Sequence, residues 1–302
     1  MENEKTVFAA PFLRSKETTA VIMRDVCIAL LPAALFGIFR YGFRAFLLVL
    51  LSVTACVVTE HIIKRIRKAK NGGYEGSAIV TGLIFGMMLP AEAPYWLPVA
   101  GGVAAMVFGK WLWGGLGKNL WNPAALTKGV IFLLAAFGIK EVAVEIGMPE
   151  QTEDLLDLFL GYGKGNIGEL SSFLLLLGGL YLVLCRVISL WVPVLYLLAF
   201  SLVVLGLGGA GLSPEYLGEQ ICTGGVLLGA FFMINDTTAS PLTRSGRVLF
   251  AIVTGALTGV FRGIGITGPA VVCGVLCGNL LVPLLDKITF PRSFGKGKKA
   301  RR

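Results

Sequence analysis

The residues best suited to chemistry form an oxygen-rich cluster just past an apolar segment, in the sequence NDTTASP at 235–241. Asp236 supplies a carboxylate, and Thr237 and Thr238 follow it with hydroxyl groups. An ionisable residue at membrane depth is costly and indicates function. Such hard oxygen atoms suit Na⁺ or the polar edge of a bound ring. The alternative is that these residues cap a helix end at the membrane interface, where Asp and Thr caps are common.

Two asparagines, Asn119 and Asn122, flank another break, directly before the apolar segment that begins at Pro123. An amide side chain can both donate and accept hydrogen bonds, so the pair is a candidate lining for a binding site. The alternative is that both asparagines only form the turn. The run GGLGKN at 114–119 favours a discontinuous helix here, because glycine permits non-helical backbone beside a cavity.

Metal chemistry is not expected from this chain. Its six cysteines are scattered in or beside apolar segments, and no CxxC pattern occurs. Cys273 and Cys277 share a helical face, but an iron–sulfur cluster usually needs four thiolates. The one histidine, His61, has no neighbours in sequence that would complete a metal site. We therefore predict that the cysteines are small packing residues.

Membrane-spanning helices must position these groups. Hydrophobic residues make up 55% of the chain and charged residues only 15%, and the apolar stretches approach the roughly 17–25 residues that one bilayer crossing needs. The pattern predicts an all-α polytopic membrane protein with about ten transmembrane helices. The predicted spans are 21–39, 43–63, 77–89, 95–111, 123–137, 171–188, 192–207, 217–233, 248–263 and 268–284.

The basic residues predict the orientation of the chain. We attribute the net charge of +9 to membrane topology rather than to nucleic-acid binding, because Lys and Arg concentrate on the cytoplasmic side of membrane proteins. With ten spans, a cytoplasmic arm (1–20), a transmembrane domain (21–286) and a basic cytoplasmic tail (287–302) result. The acidic loop 138–170 then lies outside, and no cleavable signal peptide is expected. The exceptions to the charge rule are Arg40, Arg44 and Arg262.

A weak internal similarity links 76–90 and 224–241. Both segments are glycine-rich and end at a break marked by proline. A further span follows each, and then a span with asparagine and proline, namely Asn122 with Pro123 and Asn279 with Pro283. The two units start on opposite sides in the predicted topology, which is the pattern of an inverted repeat. Chance similarity between glycine- and proline-rich segments is the alternative.

Six segments carry a more specific pattern. They are PFLRSKETTAVIMRDVCIALLPAALFGI (11–38), GSAIVTGLIFGMMLP (76–90), GKWLWGGLGKNLWNPAAL (109–126), LLLLGGLYLVLCRVISLWVPVLYL (174–197), GAFFMINDTTASPLTRSGR (229–247) and GNLLVPLLD (278–286). In order and spacing, over nearly the whole chain, they resemble the D subunit of the Rnf electron-transport complex. That subunit is similar to the B subunit of the Na⁺-pumping NADH:quinone oxidoreductase.

The resemblance implies a ten-helix subunit with a urea-transporter-like inverted repeat, in the cell inner membrane of a prokaryote. It also implies other Rnf-type subunits as partners, in a complex that couples electron transfer between ferredoxin and NAD⁺ to transport of Na⁺ or H⁺. The chain would then be part of an ion-translocating oxidoreductase, with no complete active site of its own.

Two flavins follow from the same resemblance. One is an FMN joined through its phosphate to a threonine of an extracytoplasmic loop. The other is a non-covalent flavin such as riboflavin among the helices. The residues expected to hold this second flavin, or a cation, are Asn119, Asn122, Asp236, Thr237 and Thr238.

The sequence departs from the family at the FMN loop. The usual acceptor motif, Ser/Thr-Gly-Ala-Thr, is absent from 138–170, where Thr152 is the one threonine. Only a hydroxyl can form the phosphoester, so Thr152 is the candidate acceptor. The alternative is that Thr152 is an ordinary loop residue, since acidic neighbours such as Glu150 and Glu153 would repel a phosphate.

Two other functions stay open at this point. One is a urea-transporter-like channel or transporter without a redox role, and the other is a non-redox scaffold protein of the complex. The missing Gly-Ala-Thr keeps both open, because it removes the most diagnostic redox feature. The remaining motifs favour a flavin-bearing redox subunit.

Overall fold

The computed structural model describes residues 18–67, 76–115, 117–137, 154–207 and 213–290, and these ranges contain helices and connections but no strand. The helices are α1 (Thr19–Tyr41), α2 (Phe43–Ile66), α3 (Ser77–Met87), α4 (Trp96–Ala104, continued as a π-helix over Ala105–Trp111), α5 (Pro123–Ala136), α6 (Leu155–Leu160), α7 (Ser172–Leu184), α8 (Trp191–Leu207), α9 (Pro214–Cys222), α10 (Val226–Leu228, continued as a π-helix over Gly229–Met233), α11 (Arg244–Gly263) and α12 (Ala270–Thr289).

Each of the ten predicted spans falls on helix, but the span predicted at 217–233 is not continuous. α9 ends at Cys222 and α10 begins at Val226. Between them Gly224 and Gly225 adopt φ values of +60° and +71°, a region that glycine enters without steric cost. Most of the predicted arm (1–20) and tail (287–302), and residues 138–153 of the predicted loop, lie outside the described ranges.

The longest helices have the dimensions and surface of membrane helices. Within the described ranges, α1, α2, α11 and α12 are each long and apolar enough to cross a bilayer. Their outward faces expose large apolar side chains, and Phe39 of α1 is 85% exposed. In water such a surface would be a liability, whereas in hydrocarbon it is the expected one. The protein is therefore a multi-pass membrane protein.

Small residues bring the helices into close contact. Gly255 of α11 lies directly against the backbone of Tyr196 in α8. α11 also packs on α12, where Gly274 and Gly278 of α12 lie against Thr258 and Thr254 of α11. A methyl group at any of these glycines would collide with its neighbour. This matches membrane helix packing in general, where small residues allow backbones to approach.

Two of the helices that are too short to cross the membrane alone are α3 and α10. α3 has 11 residues and α10 with its π-helical continuation covers 226–233. At ~1.5 Å per residue they are about 16 and 12 Å long, roughly half of a ~30 Å hydrocarbon core. They cross only part of the protein, and groups from other segments meet their ends. These ends mark the sites described below.

The three arginines that break the charge rule are all bound to backbone carbonyls. Arg40 donates to the carbonyl of Tyr162 (3.4 Å) and Arg44 to that of Glu92 (2.8 Å). Arg262 is buried in the described structure and donates to the carbonyl of Thr223 (3.0 Å) in the break before α10. Each arginine therefore holds a connecting segment in place, and this role accounts for its position on the less basic side of the predicted topology.

Candidate functional site

A cavity opens where α3 begins and α10 ends. It encloses about 730 Å³ of atom-free space, a figure that includes the open solvent at its mouth. Its apolar lining comes from Ile22, Met23, Val26, Val80, Ile84, Pro123, Ala124, Leu182, Val187, Ile188, Phe231 and Phe232. Its polar lining comes from Ser77, Thr81, Lys110, Asn119, Asn122, Asn235, Asp236, Thr237 and Thr238.

The structure thus brings together the two breaks that the sequence singled out separately. Asn119 and Asn122 precede α5, whereas Asp236, Thr237 and Thr238 follow α10, more than 100 positions later in the chain. The two groups meet at one end of the cavity. This meeting is what an inverted arrangement of α3 and α10 would produce, since the start of one helix lies beside the end of the other.

Hydrogen bonds join the two groups into one network. The amide of Asn122 donates to Asp236 Oδ2 (3.2 Å), and Asp236 Oδ1 accepts from both the N–H (3.0 Å) and the hydroxyl (2.8 Å) of Thr238. The amide of Asn119 in turn donates weakly to Thr238 Oγ1 (3.4 Å). The polar end of the cavity is therefore organised before any ligand binds.

Asn122 also has a structural task that fixes its orientation. Its Oδ1 accepts from the N–H groups of Ala124 and Ala125 (both 3.1 Å) and so caps α5, which has Pro123 in its first turn, where proline is favoured. With Oδ1 occupied, only the amide NH₂ can turn to Asp236. The structure places Asn122 both at the turn before α5 and in the lining of the cavity.

Asn119 is different, because part of its side chain has no partner. Its amide is buried, and Asn119 Oδ1 accepts no hydrogen bond from the described residues. A buried acceptor without a donor costs about 1–3 kcal/mol. Such an atom in a cavity wall is what a ligand with an N–H group would satisfy.

The alternative for Asp236 was a cap at a helix end, and the structure shows that it does not cap α11, the next helix in the chain. Thr243 caps that helix by accepting from Gly246 N–H, whereas Asp236 closes its own short turn through Thr238. Burial raises the pKa of the Asp236 carboxyl above its usual range, and the two hydrogen bonds from Thr238 oppose this. Thr237 lies at the mouth, with its side chain exposed.

Lys110 is a cavity residue that sequence reasoning did not single out. Its side chain is buried beside the cavity and donates to Glu60 of α2 and Ser77 of α3. Glu60 is buried as well. The available signal was the position of Lys110 inside the predicted span 95–111, because an ionisable residue within a span indicates function.

Thr152, the candidate acceptor for FMN, lies outside the described residues. The described part of the predicted loop begins at Asp154, directly before the short helix α6. Within the described ranges no group of three or more His, Cys, Asp or Glu side chains could hold a metal ion.

Comparison with known proteins matches the whole pattern to one family. The family model described as "NQR2, RnfD, RnfE family" matches residues 6–295. The chain is 33% identical to the D subunit of the proton-translocating ferredoxin:NAD(+) oxidoreductase complex of Clostridium ljungdahlii, over 97% of each chain. It is 34% identical to the D subunit of the Na(+)-translocating ferredoxin:NAD(+) oxidoreductase complex of Acetobacterium woodii, over 97% of this chain and 96% of that one.

A third relative, the D subunit of the ion-translocating oxidoreductase complex of Stutzerimonas stutzeri, is 32% identical over 93% of each chain. The first two relatives are named for different ions, H⁺ and Na⁺, although the chain is about equally similar to both. Overall similarity therefore does not select the ion.

Proposed function

The chain belongs to the NQR2, RnfD, RnfE family, and we propose on that basis that it is the D subunit of an ion-translocating ferredoxin:NAD⁺ oxidoreductase complex and holds a non-covalent flavin in the cavity between α3 and α10. Its partners are then the other subunits of that complex and the lipid bilayer. The observation that carries the flavin assignment is the composition of the cavity.

The lining fits the chemistry of a flavin ring. An isoalloxazine has apolar faces and one polar edge, on which an N–H stands between two carbonyls. Phe231, Phe232 and aliphatic side chains match the faces, and the amides of Asn119 and Asn122 match the edge. The unpaired Oδ1 of Asn119 would accept from the ring N–H. A bound flavin supplies electron transfer in steps of one or two electrons, and the protein positions it and sets its electrostatic environment.

The fold proposal is ten transmembrane helices arranged as two inverted units of five. α1 to α5 form the first unit, and α7, α8, α9 with α10, α11 and α12 form the second. α2 packs on α3 and α4, and correspondingly α8 packs on α10 and α11; α1 contacts α7, and α5 contacts α12. These matching contacts, and the antiparallel half-helices α3 and α10, support a urea-transporter-like repeat.

In the proposed topology both termini are cytoplasmic, in the inner membrane of a prokaryote. The cavity then opens toward the cytoplasm, and residues 161–171 lie on the extracytoplasmic side. Thr152 belongs to that outer loop and remains the proposed acceptor for a covalent FMN. Only its hydroxyl, among the threonines of 138–170, could form the phosphoester.

Flavin analysis of the purified, assembled complex tests the proposal. The flavin released on denaturation should include riboflavin or another non-covalent flavin. Thr238→Val and Asn119→Ala should each weaken flavin rebinding to the stripped complex about fivefold, as expected for one net hydrogen bond of about 1 kcal/mol. Thr54→Val is the matched control, because Thr54 is exposed on α2 and bonds only within its own helix.

The same preparation separates the remaining alternatives. Flavin fluorescence that stays with the protein on a denaturing gel, and is lost in Thr152→Ala, would assign the covalent FMN. Asp236→Asn should keep the flavin but lower ion-coupled turnover if the carboxylate binds a moving cation, and should lose the flavin if it holds the ring. A complex with no flavin on this chain would instead support a channel or a non-redox scaffold.

A further inference from the structure

The end of α3 opposite the cavity is covered by a short returning segment, residues 161–171, which we call the outer segment. Ile167 N–H donates to the carbonyl of Leu89 (3.0 Å) and Gly168 N–H to that of Met87 (2.8 Å). A methyl group at Gly168 would collide with the side chain of Met87. These contacts fix the outer segment against the helix end and set the position of the next residue, Glu169.

The carboxylate of Glu169 lies beside the start of α10. A Cβ atom at Gly225, the residue before α10, would be 2.6 Å from Glu169 Oε1 and 2.8 Å from Cδ. On the other side, Asn166 donates its amide to Glu169 Oε2 (2.8 Å). Glu169 is therefore held from two sides and is half-buried.

Two cations face this carboxylate from other helices. Lys128 of α5 is buried and donates to the carbonyl of Met88 at the end of α3 (2.7 Å). Arg262 of α11 is buried and bound to Thr223, and its Nε has no partner among the described residues. Both attract Glu169 electrostatically, but neither forms a salt bridge with it within 4.0 Å in the described ranges. The negative charge is thus only partly compensated.

We propose that Glu169 is a proton-binding site, placed across a thin barrier from the flavin cavity. The barrier consists of α3 and α10, about 16 and 12 Å long by residue count, with the cavity at one end of both helices and Glu169 at the other. The carboxylate takes up one proton from water on its side and returns it there, without any change in oxidation state. This assignment does not depend on a flavin in the cavity.

Charge and ligand count favour a proton over a metal cation at this position. A Na⁺ ion needs several oxygen ligands, and Glu169 is the only carboxylate among the described groups facing this point. Lys128 and Arg262 would repel a second cation, whereas a proton forms a covalent O–H bond that needs no further ligands. No group of three or more acidic, His or Cys side chains exists among the described residues to build a metal site.

Burial raises the pKa of Glu169 from 4.5 to about 7, against the opposing influence of Lys128, Asn166 and Arg262. Between these two values the folded protein retains a proton that the unfolded chain has already lost. Stability should therefore fall as pH rises through this window, since the folded state binds more protons there. A carboxyl with this pKa exchanges protons near neutral pH.

Infrared titration of the assembled complex tests the proposal. A protonated-carboxyl band should appear with a midpoint near pH 7, disappear in Glu169→Gln, and persist in the control Glu215→Gln, since Glu215 is exposed on α9. Lys128→Gln should move the midpoint upward by about one unit, because an opposite charge is lost. This second variant keeps Glu169 itself and reports on the site even where Glu169→Gln fails to assemble.

Each other outcome overturns the assignment. A spectrum without such a band in the natural protein, or a band unchanged in Glu169→Gln, would show that Glu169 only anchors the start of α10. A midpoint that moves down when NaCl replaces choline chloride would show that Na⁺ competes for the carboxylate. The flavin content of these variants should stay at the level of the natural complex, which separates this result from the cavity assignment.

Discussion

At the scale of residues, the buried charged side chains have a local role in the structure, whereas the exposed ones set the orientation of the chain in the membrane. Lys110 and Glu60 form a buried ion pair that Ser77 completes. Removing one partner of such a pair leaves an uncompensated charge in a medium that solvates it poorly. Removing both is often close to neutral.

Lys110→Met alone should therefore destabilise the protein, by less than the ~3–5 kcal/mol that a fully uncompensated buried charge costs, because Lys64 remains 3.6 Å from Glu60. The double variant Lys110→Met, Glu60→Met should recover most of that loss. Thermal unfolding of the detergent-solubilised complex measures both, and Arg65→Met, at an exposed position of α2, serves as a single-charge control. Equal destabilisation by the single and double variants would mean that the lysine acts through packing alone.

At the scale of elements, the break between α9 and α10 depends on Gly225. Its φ of +71° strains any side chain, and a Cβ atom there would also meet Glu169. Gly76 has nearly the same left-handed backbone, with φ +72° and ψ −6° against φ +71° and ψ +16° at Gly225, but an added Cβ there would meet only the Cβ of Met23, at 3.3 Å. Alanine variants of the two glycines therefore separate the free-energy cost of backbone strain from that of a steric collision.

Gly76→Ala should cost about 1 kcal/mol, the usual penalty for a left-handed residue with a side chain. Gly225→Ala should cost clearly more, because the outer segment must also move. Thermal unfolding midpoints of the two variants give the comparison. A Gly225→Ala protein as stable as Gly76→Ala would mean that Glu169 is not fixed against α10.

The same elements show what sequence could predict and what it could not. Apolar run lengths predicted helix in regions where the described structure has helix, although the span predicted at 217–233 is broken, and the oxygen-rich residues around Asn122 and Asp236 were singled out as candidate chemical groups. The ion-pair partner of Lys110 was not predicted, because Glu60 is 50 positions away in the sequence and only helix packing brings the two residues together. The break at Gly224 was also missed, because glycine inside an apolar run fits a close helix contact equally well.

At the scale of the whole molecule, one orientation accounts for the charges on both faces. The basic segments before α1, after α2 and after α12 fall on one side when there are ten crossings. The three exceptions are explained locally, since Arg40, Arg44 and Arg262 each donate to a backbone carbonyl. In the proposed orientation, the cavity faces the cytoplasm and Glu169 faces the extracytoplasmic side.

Cysteine labelling with a membrane-impermeant reagent tests this orientation, in a background without the six natural thiols. Asp154→Cys should label strongly in intact cells, because the residue precedes α6 in the predicted outer loop. Ala300→Cys, in the basic tail, should label only after the membrane is opened, since Lys- and Arg-rich segments stay in the cytoplasm. Labelling of position 300 in intact cells would invert the topology, and Glu169 would then exchange its proton with the cytoplasm.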